Sequence, residues 1–146
     1  MKKIIVCLDG SPMSLLALER AIETARCANA EILAITAVEA LTFFDCEAKE
    51  CEKAFAHILR EPKRILAEAE EFARERGMEI RTQAEPGRPA ETVARIARQE
   101  GADAIYVGSR GKDDVEKMLL GSVSMRLVQI APCTVVVVRE PLDPEE

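Results

Sequence analysis

The sequence is short of the residues that catalytic and metal sites most often use. Its 146 residues include a single histidine, His57, and no pair of cysteines separated by two residues, so we expect no zinc site. A Ser-His-Asp triad is not expected either, because His57 lies in a charged segment typical of a helix surface. No general base has an obvious partner. We therefore expect no catalysis, or at most a slow reaction.

Several nucleotide-binding signatures are also absent. No Gly-x-Gly-x-x-Gly follows the first apolar segment, which argues against a dinucleotide-binding Rossmann domain. No Gly-Lys-Ser or Gly-Lys-Thr follows a glycine loop, which argues against a P-loop enzyme. A phosphorylation receiver domain needs several acidic residues after the first strand and a lysine after the fifth. Here Asp9 stands alone after the first strand, and Arg139 follows the last.

Basic charge and long apolar runs are scarce as well. The chain has 20 lysines and arginines against 26 acidic residues, and its net charge of -6 argues against nucleic-acid or anionic-membrane partners. No apolar run approaches the roughly 20 residues of a transmembrane helix. Asp9 ends the first apolar run too early for a signal peptide. We therefore expect a cytoplasmic protein that binds neither nucleic acid nor membrane.

The five cysteines do not resemble a disulfide framework, because their number is odd and their spacing is scattered. Cys46 and Cys51 lie five positions apart and could pair under oxidation. We expect free thiols, since cytosolic thiols stay reduced.

Short apolar runs alternate with segments of helical periodicity. Strands are predicted over 3–8, 31–38, 78–84, 104–107 and 134–138. This alternation implies right-handed crossovers and an α/β fold. We predict a five-stranded parallel sheet of order 3-2-1-4-5, with helices on both faces. Residues 1–140 would form one domain, and 141–146 a frayed tail.

Proline and glycine predict the helix boundaries. Pro12 and Pro89 open two helices, and Gly101 ends the second. A helix is also predicted over 122–130. The long segment 46–76 has an apolar face at helical spacing, but Pro62 lies within it. Because proline lacks an N–H group and its ring crowds the preceding turn, we expect two helical pieces there.

The strongest functional signal is Gly108-x2-Gly111-x9-Gly121-Ser122. Gly108 follows a predicted strand, while Gly121 begins a helix, whose free N–H groups and positive dipole end attract anions. In the predicted sheet the winding direction reverses between strands one and four, which would bring Asp9 beside Gly108. The pattern predicts an anion site. Alternatively, the glycines only shape turns, and Asp9 is only a helix cap.

This spacing is similar to the nucleotide-binding motif of the universal stress protein family, in its ATP-binding branch. The resemblance covers nearly the whole chain, through segments 5–11, 87–90, 107–111, 119–124 and 132–138. It implies the Rossmann-like fold called adenine nucleotide alpha-hydrolase-like, and a homodimer.

The resemblance also implies site residues for ATP, or else for AMP or ADP. Asp9 would lie near the adenosine or a Mg²⁺ ion, and Cys7, where many members have proline, would border the adenine pocket. Val38 would contact adenine through its backbone, and Val107 would line the base pocket. The ribose and phosphates would be held by Gly108, Arg110, Gly111, Gly121, Ser122 and Val123.

Three functions follow from these observations. The first is a stress-response regulator or sensor that binds an adenine nucleotide with little or no catalysis, and the intact glycine spacing favours it. The second is a slow Mg²⁺-dependent ATPase in which Asp9 holds the metal. The third is a protein interaction module that needs no ligand.

The last predicted strand indicates how the chain associates. It is apolar on both faces and would lie at the sheet edge, where an exposed apolar strand invites pairing. We predict a two-fold homodimer through antiparallel pairing of this strand. The pairing residues would be Val135, Val136, Val137 and Val138.

Overall fold

The computed structural model of the protein describes residues 1–39, 48–111 and 120–141, with the backbone only for 48–50. Strands and helices alternate along the described chain. The strands are β1 (Lys3–Leu8), β2 (Glu31–Val38), β3 (Arg81–Pro86), β4 (Ala104–Gly108) and β5 (Thr134–Val138). The helices are α1 (Pro12–Ala28), α2 (Ala48–Glu75), α3 (Pro89–Glu100) and α4 (Ser122–Ile130).

These strands form one parallel sheet in the order β3-β2-β1-β4-β5, which confirms the predicted α/β fold. Helices α1 and α2 pack on one face of the sheet, and α3 and α4 pack on the other. The chain therefore winds outward from β1 to β3 and then crosses back to β4. The carboxyl ends of β1 and β4 lie side by side where the winding direction changes.

Strand β1 lies at the centre and supplies both hydrophobic cores. Ile4 and Val6 face the core under α1 and α2, whereas Ile5 and Cys7 face the core under α3 and α4. All four side chains are buried. A central parallel strand has no solvent face, and this explains why its sequence is apolar without alternation.

The ends of the helices follow the local sequence signals. The Ser11 side chain caps α1 by accepting the Ser14 N–H, and Pro12 occupies the first turn. Helix α3 ends at Gly101, whose φ of 63° is left-handed. These local contacts place the start of α1 directly after β1, at the same sheet edge where the winding reverses.

Two predicted elements differ in the structure. Pro62 does not break the long helix, because it lies inside the continuous helix α2 and is buried. A proline inside a helix costs about 3 kcal/mol or more, and packing of the apolar face of α2 on the sheet offsets that cost. Strand β3 covers 81–86 rather than 78–84, since Met78 and Ile80 pack against the core without entering the strand ladder.

One thiol expectation was wrong. Cys51 is disulfide-bonded, whereas Cys7, Cys27 and Cys133 are free. Cys46 lies outside the described residues. Composition could not predict this pairing, because a disulfide depends on the distance and direction of two side chains.

No helix in the described ranges is both long enough and apolar enough to span a bilayer.

Polar contacts join the amino ends of the strands, opposite the edge where the winding reverses. The Asp103 carboxylate accepts the backbone N–H groups of Lys2 and Lys3 at 2.7 and 2.9 Å. The Lys3 ammonium lies 2.9 Å from Glu100. The two N–H groups at Asp103 lower the pKa of its carboxyl below the usual value. The charged form of Asp103 therefore holds the start of β1 against β4.

Asp103→Ala should reduce stability at neutral pH but not in acid. A lowered folded-state pKa means that the carboxylate stabilises the fold above the unfolded pKa of about 3.9. That contribution is lost as the pH falls through the folded pKa. Urea unfolding at pH 7 and near pH 3 should show a gap between wild type and variant that closes in acid. A gap of equal size at both pH values would contradict this account.

Candidate functional site

A cavity of about 210 Å³ opens at the carboxyl ends of β1, β2 and β4. A single water molecule needs only about 15 Å³, so the cavity can admit a chemical group much larger than water. It lies where the winding of the sheet reverses, which is where open α/β sheets bind ligands. Seven of its lining residues were predicted from the sequence: Cys7, Asp9, Val107, Gly108, Arg110, Gly111 and Val123.

Three other predicted site residues do not line the cavity. The Val38 carbonyl accepts the Gly87 N–H at 3.3 Å, so this acceptor is used within the fold. The Gly121 N–H donates to the Ser109 carbonyl at 2.6 Å. Ser122 begins α4 and is exposed to solvent. These residues border the site, and any contact with a ligand stays a prediction.

The two glycine turns meet through the Ser109 carbonyl. This oxygen accepts both the Gly121 N–H and the Ser124 hydroxyl, the latter at 3.2 Å. The Ser109 N–H in turn donates to the Val138 carbonyl at 2.8 Å. The turn after β4 is thus tied to the start of α4 and to the end of β5. Sequence spacing indicated that the turns converge but did not identify Ser109 as the link.

Gly108 is required by close packing at the edge of the cavity. A methyl group at Gly108 would lie 2.9 Å from the Met13 Cβ and 3.1 Å from the Met13 carbonyl carbon and oxygen. These atoms belong to the first turn of α1, which packs directly on the end of β4. The glycine therefore lets α1 approach the sheet, and this role does not depend on a ligand.

Asp9 takes part in the turn between β1 and α1. Its Oδ1 accepts the Ser11 N–H at 2.9 Å and the Ser11 hydroxyl at 2.5 Å. Since Ser11 caps α1, Asp9 supports the cap and also lines the cavity. In the part of the chain that the structure describes, no cluster of three or more His, Cys, Asp or Glu could hold a metal. Among the described residues Asp9 has no such cluster around it, so there Asp9 would hold Mg²⁺ together with oxygens from a ligand.

Helix α2 forms a wall of the cavity that sequence reasoning missed. Glu61, Pro62 and Ile65 line the cavity from this helix. A methyl group on Gly10, whose φ is 84°, would lie 3.1 Å from the Ile65 Cδ1. The helix therefore packs tightly on the turn after β1. The apolar face of α2 was visible in the sequence, but the turn it covers depends on how the helix packs on the sheet.

The remaining lining residues that sequence reasoning did not single out come from five elements. They are Leu8 of β1, Ser14 of α1, Thr36 and Ala37 of β2, Pro89 at the start of α3 and Ser124 of α4.

The electrostatic character of the cavity differs between its walls. Burial raises the pKa of the Cys7 thiol to about 12, and the nearby Asp9 charge acts in the same direction. The thiol is therefore neutral at physiological pH and contributes an apolar surface. Arg110 brings a cationic group to the side of β4, where it lies 3.5 Å from Glu140. Glu61 brings an acidic group to the side of α2.

The arrangement suits binding of a ligand that has an apolar planar part and an anionic part. The walls of β1 and β4 offer Cys7 and Val107 for the apolar part. Gly121 has no side chain that could cap α4. The first N–H groups of a helix have no partner within the helix and can bind the anionic part. His57 is exposed on α2 and does not line the cavity.

Comparisons with known proteins agree with this geometry. The model of the universal stress protein family matches residues 1–139. A universal stress protein of Methanocaldococcus jannaschii is 36% identical over 141 residues, covering 96% of this chain and 83% of that protein. The universal stress protein YxiE of Bacillus subtilis is 34% identical over 152 residues, covering 94% and 98%. A solved universal stress protein in complex with cAMP is 26% identical, covers 94% of this chain and 96% of its own, and has a TM-score of 0.72.

Gly108→Ala should destabilise the protein even without a ligand. The added methyl group would press on Met13 backbone atoms, and such overpacking typically costs about 1–3 kcal/mol. Chemical unfolding in nucleotide-free buffer measures the loss. Ser122→Ala is the control, because replacing an exposed side chain usually changes stability by less than about 0.5 kcal/mol. Equal stability of Gly108→Ala and wild type would show that α1 moves aside without cost.

Proposed function

The chain belongs to the universal stress protein family, and from this premise we propose that it binds an adenine nucleotide, preferentially ATP, as a stress-response regulator or sensor in the cytoplasm. The observation that carries the proposal is the convergence of two glycine turns beside the cavity at the reversal between β1 and β4. The relative in complex with cAMP supports an adenine nucleotide as the ligand class.

The lining fits the parts of a nucleotide. Cys7, Ala37 and Val107 offer apolar surface for the base. Gly111 leaves room for close approach of a phosphate, and Val123 contributes a main-chain N–H in the first turn of α4. A phosphate placed there would be stabilised by the helix dipole and by backbone donors.

Arg110 and the start of α4 support a ligand that carries several phosphates. Backbone amides and a guanidinium at one end of the cavity interact more strongly with higher negative charge. Asp9 would then contact Mg²⁺ through phosphate oxygens or lie near the sugar. These assignments favour ATP over AMP.

A regulatory role is favoured over catalysis by the surroundings of the acidic and basic groups. Asp9 is engaged with Ser11, and His57 lies outside the cavity lining. The Asp9 carboxylate is thus used in the turn that leads into α1, and it has no histidine beside it among the residues that line the cavity. Nucleotide binding would instead shift the population of conformations that partner proteins recognise.

Isothermal titration calorimetry with ATP, ADP and AMP, with and without Mg²⁺, tests the proposal. Val123→Asp places a negative charge in the cavity wall and should weaken ATP binding about tenfold or more, because like charges repel across a desolvated contact. Gln129→Asp is the matched control: it adds the same charge to the same helix at a residue that is exposed to solvent and points away from the cavity lining. It should leave the affinity near that of wild type.

Circular dichroism should confirm that both variants are folded. Absence of binding by the wild type to all three nucleotides at millimolar concentration would overturn the proposed function. An equal loss of ATP affinity in both variants would show that the nucleotide does not bind at the first turn of α4.

We also propose a homodimer that pairs β5 with its symmetry mate. Strand β5 pairs with β4 and lies at the edge of the sheet. Val135, Val136 and Val137 are only partly buried there. On the neighbouring helix α4, Met125 is 49% and Val128 is 58% exposed. An apolar edge next to exposed apolar side chains favours association with a like surface.

Val137→Lys should convert the dimer to a monomer, since a lysine on an edge strand opposes strand pairing. Light scattering at tens of micromolar protein should give twice the mass of one chain for wild type and the mass of one chain for the variant. Phe55→Lys, on a helix that packs near β3 at the opposite side of the sheet, should remain a dimer. A monomeric wild type would contradict the pairing.

A further inference from the structure

Thr36 is a buried polar residue that lines the cavity near the carboxyl end of β2. Only 3% of its surface is exposed. The residues paired with it on the neighbouring strands are Leu8 of β1 and Ala84 of β3. Paired residues of adjacent strands project to the same face of a sheet. The Thr36 side chain therefore has alkyl groups on both sides.

The face to which Thr36 projects is the one that α2 covers. Side chains alternate along a strand, and Ile32 and Ala34 of β2 belong to the core under α1 and α2. Thr36 lies two residues beyond Ala34 and points to the same face. Pro62 and Ile65 of α2 line the cavity there, and their side chains carry no hydrogen-bonding group.

The Thr36 hydroxyl has no hydrogen-bond partner within residues 1–39, 48–111 and 120–141. In the same residues, every side-chain oxygen or nitrogen that is enclosed away from solvent does have a partner. The Thr36 oxygen is therefore not enclosed, although nearly all of the residue is buried. The cavity is the opening that Thr36 lines, and the hydroxyl is directed into it.

Two other hydroxyls line the cavity, and both are used within the fold. The Ser14 hydroxyl donates to the Ser11 carbonyl at 2.9 Å, and the Ser124 hydroxyl donates to the Gly121 carbonyl at 3.0 Å. Thr36 differs because its single donor and two acceptor sites remain for a ligand. A ligand that covers this hydroxyl has to supply a partner, since burying it unpaired costs free energy.

Thr36 lies away from the glycine turns where the phosphates are proposed to bind. The turns follow β4, and β1 lies between β4 and β2, so two strand spacings place Thr36 about 10 Å from the turns. The nucleoside end of the ligand therefore reaches it. A ribose carries two adjacent hydroxyls, one of which would stay unpaired against the alkyl wall. A base packs its faces on alkyl groups and forms hydrogen bonds only at its edge.

We propose that Thr36 is a specificity-determining residue whose hydroxyl forms a hydrogen bond with the edge of the base. This inference rests on the proposed function. The partner is an N–H or a ring nitrogen of the base, because a hydroxyl can accept from the first and donate to the second. Thr36 thus orients the base at the end of β2, away from the phosphates.

Thr36→Val tests the contact, because a methyl group replaces the hydroxyl at nearly the same size. Calorimetry should show about tenfold weaker ATP binding, since the base edge then lies unpaired against an apolar surface. Thr36→Ser keeps the hydroxyl and should bind ATP nearly as tightly as wild type. Thr92→Val is the matched control, because Thr92 is 4% exposed and does not line the cavity. Its ATP affinity should equal that of wild type.

Urea unfolding without nucleotide supplies a readout that a purely structural hydroxyl would change. Thr36→Val should be at least as stable as wild type, because no hydrogen bond of the described fold is lost and valine favours strands. A clear loss of stability would show that the hydroxyl has a partner within the protein. That result would overturn the assignment to a ligand.

Base analogues identify the partner atom. ATP analogues that lack the amino group of the base, or that replace one ring nitrogen by C–H, should be titrated into wild type and Thr36→Val. The analogue without the true partner should bind wild type about tenfold more weakly than ATP and should be insensitive to Thr36→Val. Analogues without the 2′- or 3′-hydroxyl should remain sensitive. Insensitivity of one of these would assign the contact to the sugar and overturn the base contact.

The outcomes separate this inference from the proposal on which it rests. Wild type that binds no adenine nucleotide overturns both. Wild type that binds ATP, with an affinity unchanged by Thr36→Val or lowered equally by Thr92→Val, overturns the role of Thr36 alone. Equal losses in Thr36→Ser and Thr36→Val would show that the methyl group and not the hydroxyl matters, and would also overturn it.

Discussion

The change of helix face between β1 and β4 is the constraint on which the site depends. Right-handed crossovers place α1 and α2 on one face while the chain moves from β1 to β3. When the chain returns to β4, the same handedness places α3 and α4 on the other face. The segments that leave β1 and β4 therefore diverge, and the cavity opens between them. Every group that lines it is brought there by this topology.

Residues that shape the cavity also hold the fold together. The Ser109 carbonyl joins the turn after β4 to α4, and Gly108 permits the approach of Met13. Asp9 supports the Ser11 cap of α1 while its side chain borders the cavity. These atoms serve both the stability of the fold and the shape of the cavity. A substitution at such a position can therefore weaken ligand binding by unfolding the protein, and its stability has to be measured alongside its affinity.

The chain is acidic overall, yet its cavity suits an anion. The net charge does not describe the hydrogen-bond donors at the site. The charge of -6 is a property of the whole sequence. At the start of α4, the donors are main-chain N–H groups and the helix dipole, which do not enter that total. Arg110 adds a cation on the same side, while Glu61 stands on the other.

The sequence by itself determined the order of elements, the central position of β1 and the convergence of two glycine turns, because these follow from local periodicity and short-range spacing. It did not determine that α2 stays continuous through Pro62, or that Glu61 faces the cavity. It did not show that the carbonyl of Val38 is used by Gly87. These features join residues far apart in the chain, and only the packing of α2 on the sheet and the pairing of β2 with β3 decide them. Local sequence predicts which face of an element is apolar, whereas tertiary structure decides what that face meets.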